Sequence, residues 1–182
     1  MYGLVNEALR ELVISTAGED VWLKIAAEAR TSTDGFEALC PYSDAVTYKL
    51  VELAAPELDI PATELLRRFG KFWVTYTADE GYGDVMFLFG TDFRSCLRNL
   101  NRMHAHMGAT MPMLKPPRFK LEEQSPEKAV LHYFSHREGL APMVIGLLDG
   151  LAEKYNEQIE IQFVPNGSRS DHDEFEISFL QV

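Results

Sequence analysis

Asn99-Leu100-Asn101-Arg102-Met103-His104-Ala105-His106-Met107-Gly108 decides how the chain is read, together with Leu131-His132-Tyr133-Phe134-Ser135-His136-Arg137 downstream. Written as a helix, the first stretch and the residues before it place Phe93, Cys96, Leu97, Leu100, Met103, His104 and Met107 on one stripe, because apolar positions three and four apart share a face. His104 lies inside that stripe. His106, two positions on at ~100° per residue, is turned by roughly 200° and points the other way. A neutral imidazole facing an apolar interior is either a hydrogen-bonded core residue or a metal ligand. The helix alone leaves both open.

Upstream of this stretch the periodicity is helical. Leu4, Val5, Ala8, Leu9, Leu12 and Val13 predict a helix over 2–17 closed by Gly18, and Asp20 is placed to cap a second helix burying Val21, Trp22, Ile25 and Ala29. A Thr/Ser/Gly/Asp-rich loop over 31–42 leads to Ser43, which suits the N-cap of a helix ended by Pro56. Pro61 suits the start of an aromatic helix carrying Leu65, Leu66, Phe69, Phe72, Trp73 and Tyr76. Asp79-Glu-Gly-Tyr-Gly83 reads as a turn without the Lys-Ser/Thr pair of a phosphate loop, followed by a short helix over Asp84–Phe89.

Downstream, Pro112, Pro116 and Pro117 forbid regular ladders, and from Arg118 onward alternation takes over. Strands are predicted at about 118–123 and 128–137, around a Ser125-Pro126-Glu127 turn, then at Ile159–Val164 and Glu174–Leu180; a helix from Leu140 to about Tyr155 interrupts them. Helices first and a mostly antiparallel sheet last is an α+β arrangement. At 182 residues one domain is expected, with a helical part over about 1–60 and the His104 helix and sheet over about 61–182.

Composition narrows the partners. With 17 Lys plus Arg against 28 Asp plus Glu, the net charge of −11 repels phosphate backbones and anionic lipid, so neither nucleic acid nor a membrane is an expected partner. The first residues lack the basic flank of a secretion signal, the longest apolar run stops at Asp149, and Cys40 and Cys96 form no CxxC pattern, all of which fit a cytoplasmic chain.

On a strand, alternate side chains share a face, so Tyr133, Ser135 and Arg137 would project together at ~6.6 Å spacing. A phenol, a hydroxyl and a guanidinium in a row suit a ligand with two carboxylates or a phosphate. On the opposite face His132 and His136, with His172, make a conceivable zinc cluster. It is disfavoured because His132 and His136 would stand ~13 Å apart along one strand and no Cys or carboxylate pattern converges there. There is no Gly-x-Ser-x-Gly elbow for hydrolase chemistry.

His104 in its stripe, the Pro116-Pro117 link and the Tyr133-x-Ser135-x-Arg137 row resemble the H-NOX family, the haem domains of soluble guanylate cyclases and their bacterial relatives. The resemblance runs from Met1-Tyr-Gly-Leu-Val-Asn through Phe69-Gly-Lys, Glu80-Gly-Tyr and Leu131-His-Tyr-Phe-Ser-His-Arg-Glu-Gly-Leu to Asp171-His-Asp, and its wording is closer to the guanylate-cyclase and cyanobacterial branch than to the oxygen-binding bacterial branch. It implies a haem-based sensor with no catalytic residues, in which haem b lies between the helical part and the sheet. His104 would ligate the iron, Tyr133, Ser135 and Arg137 would hold the propionates, and Pro117 would press on the porphyrin. Val5, Trp73, Met143 and Leu147 would line the distal side.

Oxygen-binding members place a tyrosine donor on the helix after the arginine of the row; the matching positions here are Pro142 and Met143, which cannot donate, although the Trp73 indole N–H can. The resemblance therefore implies nitric oxide and carbon monoxide as ligands, without stable oxygen binding. Nitric oxide would signal by releasing His104 from the iron. The partner would be a histidine kinase, a cyclic-di-GMP enzyme or a guanylate cyclase. The competing reading is a haem-free module that takes an apolar small molecule or a partner protein in the same cavity.

Overall fold

Leu4, Ala8, Leu9, Leu12 and Val13, recurring at three- and four-residue spacing, form the buried stripe of α1 (Gly3–Ala17). The computed structural model describes residues 1–77, 90–109, 111–165 and 171–180, so the turn at Asp79–Gly83 and the helix expected over Asp84–Phe89 lie outside the described residues. The chain divides into two units, residues 1–69 and 70–182.

In the first unit Gly18, at φ 90°, ends α1 with its N–H on the Ile14 carbonyl at 2.9 Å. The next helix, α2 (Glu19–Ala29), starts immediately, so Gly18 takes the cap position expected of Asp20, whose charge instead sits in the first turn and complements the helix dipole. Trp22, Ile25 and Ala26 are its buried residues, with Val21 and Ala29 only half-buried. The 31–42 loop is held from inside: the Trp22 indole donates to the Thr33 carbonyl at 3.2 Å, and the Phe36 ring meets Trp22 and Tyr42 edge-on. Ser43 caps α3 (Asp44–Glu57) by accepting the Ala45 N–H, and Pro56, expected to end the helix after Ala55, falls inside its last turn. Buried Thr47 donates to buried Asn6 at 2.6 Å. The unit boundary falls within α4 (Ala62–Thr77), between Phe69 and Gly70.

The second unit holds the rest of α4, then α5 (Phe93–Met107), β1 (Arg118–Ser125), β2 (Lys128–Phe134), α6 (Ala141–Lys154), β3 (Ile159–Val164) and β4 (Asp173–Phe179). The four strands form one antiparallel sheet in the order β1-β2-β4-β3. Register places Phe119 opposite Tyr133, Leu121 opposite Leu131, and Leu131 opposite Phe175, so one face is apolar and packs on Phe93, Leu97, Val144, Leu148 and Leu151 of α5 and α6. The other face carries Lys120, His132 and Glu174 in line. One expectation fails here. The second strand ends at Phe134, because the Ser135 hydroxyl accepts the Arg137 N–H at 3.0 Å and turns the chain out of the ladder. Among the described residues, no helix is long and apolar enough to cross a membrane.

Within this unit α4 and α6 touch backbone to backbone at Gly70. A Cβ there would lie 2.1 Å from the Met143 carbonyl oxygen and 2.8 Å from the Leu147 nitrogen. Backbone atoms cannot rotate aside, so Gly70→Ala must push the helices apart, and overpacking of this kind costs about 1–3 kcal/mol. Urea denaturation should show at least that loss. A Gly70→Ala chain as stable as wild type would contradict this packing.

Candidate functional site

The His104 helix is set at both ends. At its start Asp92 and Ser95 form a reciprocal capping box, the Asp92 carboxylate accepting the Ser95 N–H at 2.8 Å. Phe93, Cys96 and Leu97 bury the first two turns, which delivers His104 in the last. Near that end Asn101 grips β1: its side-chain N–H donates to the Phe119 carbonyl at 2.6 Å and its Oδ1 accepts the Phe119 N–H at 2.8 Å. Both backbone groups of one residue are thereby satisfied by one amide. On the solvent side Arg98 forks onto the Glu123 carboxylate, an exposed pair that adds little.

His104 stacks on Phe119 with ring centroids 5.9 Å apart and planes at 21°. Its Nδ1 is buried with no hydrogen-bond partner. Burial lowers the pKa from 6.5 to about 4, so the ring is neutral at pH 7. His106 is exposed, as its helical phase predicted. Phe119 in turn lies 5.4 Å from Tyr133, centroid to centroid, and links the imidazole to the first member of the donor row.

The row converges, although not along a strand. Tyr133 is buried on β2, and burial raises its pKa against the opposing effects of a Ser135 hydrogen bond and the Arg137 charge, so it remains a neutral phenol. Ser135 and Arg137 follow in the turn, where the Arg137 guanidinium donates to the Lys115 carbonyl at 2.8 Å. That bond brings the arginine to the connection containing half-buried Pro117. Trp73 on α4, and Met143 and Leu147 on α6, are half-buried on the two helices that meet at Gly70, and Trp73 lies 6.5 Å from the Tyr76 ring. Val5 is half-buried on α1 of the first unit.

Two residues of this arrangement escaped the sequence reading. Phe119 is the first inward position after Pro117, a signal that alternation carries. Asn101 had none, since a polar residue on a helix is ordinarily a solvated one.

A profile of the family described as Haem-NO-binding matches residues 2–163. The chain belongs to that family, H-NOX. It is 30% identical over 177 residues to soluble guanylate cyclase gcy-34 of Caenorhabditis elegans, and 29% identical over 178 residues to gcy-32 of the same organism. Each alignment covers 94% of this chain and 26% of the relative, so the H-NOX chain spans about a quarter of these cyclases. In fold it matches an H-NOX protein from S. oneidensis, solved in an Fe(II)NO ligation state, with a TM-score of 0.89, 22% identity and all of both chains covered. The α+β reading is thus the H-NOX fold, and the family is one of haem-based gas sensors.

The depressed pKa of His104 has a measurable sign. Between pH 6.5 and about 4 the unfolded haem-free chain carries a proton on this ring that the folded chain does not, so stability falls as the pH drops through that window. The effect is at most about 3 kcal/mol, from ~1.4 kcal/mol per pH unit. Denaturation of the haem-free chain at pH 7 and pH 4.5 should show a loss larger than that of His104→Leu by nearly this amount. Equal losses would contradict the burial.

Proposed function

We propose that this H-NOX domain holds haem b through His104 and senses nitric oxide and carbon monoxide, without forming a stable complex with oxygen. The observation that carries the reading is the neutral His104 ring with a buried, unpartnered nitrogen. Leaving such an atom unsatisfied costs ~1–3 kcal/mol; a neutral imidazole in apolar surroundings is also what ferrous iron takes as an axial ligand. The residues fit the group at its acidic edge as well. Tyr133, Ser135 and Arg137 bring a phenol, a hydroxyl and a guanidinium together, the donor set that suits two propionates. Pro117 would pack on the macrocycle, with Trp73, Met143 and Leu147 around the gas. Bound there, haem supplies a ferrous iron with a coordination position open to a diatomic gas.

Gas choice follows from the polarity of those residues. Oxygen on ferrous iron draws negative charge and gains from a hydrogen-bond donor, whereas nitric oxide needs none. Pro142 and Met143 offer no donor where oxygen-binding members carry a tyrosine, which favours nitric oxide and carbon monoxide; the Trp73 indole N–H is the one donor left among these residues. For output, His104 would leave its ligand position when nitric oxide binds, and Asn101 and Phe119 would carry its displacement to β1. The bias on the partner equals the difference in gas affinity between the two states. The partner would be a cytoplasmic signalling enzyme, either a guanylate cyclase, as in the relatives of which this chain spans a quarter, or a histidine kinase or cyclic-di-GMP enzyme acting as a separate protein.

The test is a gas titration of the anaerobically reduced, haem-loaded protein. Nitric oxide and carbon monoxide should each shift the Soret band, and air should change it only as the iron oxidises. A reduced protein that gives a stable, distinct spectrum in air would overturn the gas assignment.

A further inference from the structure

On the sheet face opposite Tyr133, a second set of ligating groups comes together. His132 on β2 stands directly across from Glu174 on β4, and His172 precedes β4 by one residue. His132 Nδ1 and His172 Nε2 are 2.8 Å apart, and Glu174 Oε1 lies 3.3 Å from the first and 3.2 Å from the second. Three donor atoms on a tetrahedral ion with bonds of ~2.0–2.1 Å would be ~3.3 Å from one another. The observed triangle is nearly that size.

We propose that His132, His172 and Glu174 form a binding site for a divalent transition metal of the zinc class, separate from the residues that suit haem. Two imidazoles and one carboxylate are a zinc donor set, leaving a fourth position for water. The side chains are 14%, 15% and 33% exposed, so the cluster is sheltered yet reachable.

The outer contacts of the two rings fit the same arrangement. His172 Nδ1 lies 2.9 Å from the Asp171 carboxylate, so a proton on Nδ1 leaves the Nε2 lone pair for the metal. His132 Nε2 is buried without a hydrogen bond, with Glu122 Oε2 3.6 Å away, so a proton held there leaves Nδ1 free to ligate. Each ring thus turns one nitrogen toward the triangle and the other toward a carboxylate, the usual outer arrangement of a metal-bound histidine. The Phe134 ring stacks on His172 with centroids 4.2 Å apart and fixes its plane.

The opposing charges are Arg118, which lies over Phe134, and Lys120, 3.9 Å from Glu122. Against them stand Glu174, Asp171 and Glu122 in a chain of net charge −11. An ion here would tie the start of β4 to β2 beside the Tyr133–Asp173 pair. The carboxylate that strand spacing did not reveal comes from β4, and His136, beyond the end of β2, takes no part.

The test uses the untagged 182-residue chain, stripped with a chelator and titrated with zinc chloride against a chromogenic competitor, with bound zinc counted by elemental mass spectrometry. One zinc per chain with a micromolar or tighter Kd is expected. His172→Asn and Glu174→Gln should each weaken it at least tenfold, whereas His136→Asn and His106→Asn should not. Glu174→Gln keeps the side-chain shape and is informative if the histidine variant fails to fold. The absence of stoichiometric zinc, or equal affinity in wild type and Glu174→Gln, would overturn the proposal.

Discussion

Phe119 is held through its backbone, and its ring contacts two others. Asn101 satisfies both its N–H and its C=O, and its ring packs against those of His104 and Tyr133. Much of the arrangement around His104 depends on that placement. A neutral imidazole is useful as a ligand only if its ring is held, and here an aromatic face holds it while its buried Nδ1 has no hydrogen-bond partner among the described residues. The same phenylalanine abuts the phenol of the donor row. One side chain therefore joins the two ends of the candidate site, and one amide fixes where it sits.

The fold was legible in the sequence wherever a period had to be obeyed. Ile159–Val164 alternates on a sheet and Leu140–Tyr155 repeats at helical spacing, and both elements appear within a residue of expectation. Short-range polar competition was less legible. Ser135 bonds the Arg137 N–H and ends β2 at Phe134, and Gly18 displaces Asp20 as the start of α2. In each case a single local hydrogen bond or backbone angle outweighed a pattern that would have continued. Tyr133, Ser135 and Arg137 lie near one another even so, because the chain turns at Ser135 instead of running on as a strand. The register of β2 against β4, which no local pattern encodes, is what sets Glu174 beside His132.

The two faces of the sheet separate two kinds of chemistry. The inward face is apolar and orders His104 through Phe119; the outward face gathers imidazoles and carboxylates around His132. Alternation along β2 makes this separation unavoidable, since Tyr133 and His132 are neighbours in the chain and must point apart. The close approach at Gly70 gives the helices flanking the inner face an equally fixed geometry, and Trp73, Met143 and Leu147 are arrayed on those helices.

Whether His104 ligates haem is decided most directly by the absorbance of the protein reconstituted with haemin, compared with that of His104→Gly with and without added imidazole. Ligation by His104 predicts a strong Soret band in wild type, its loss or displacement in the variant, and its recovery when imidazole fills the vacated position. A variant with the wild-type spectrum, unchanged by imidazole, would contradict it.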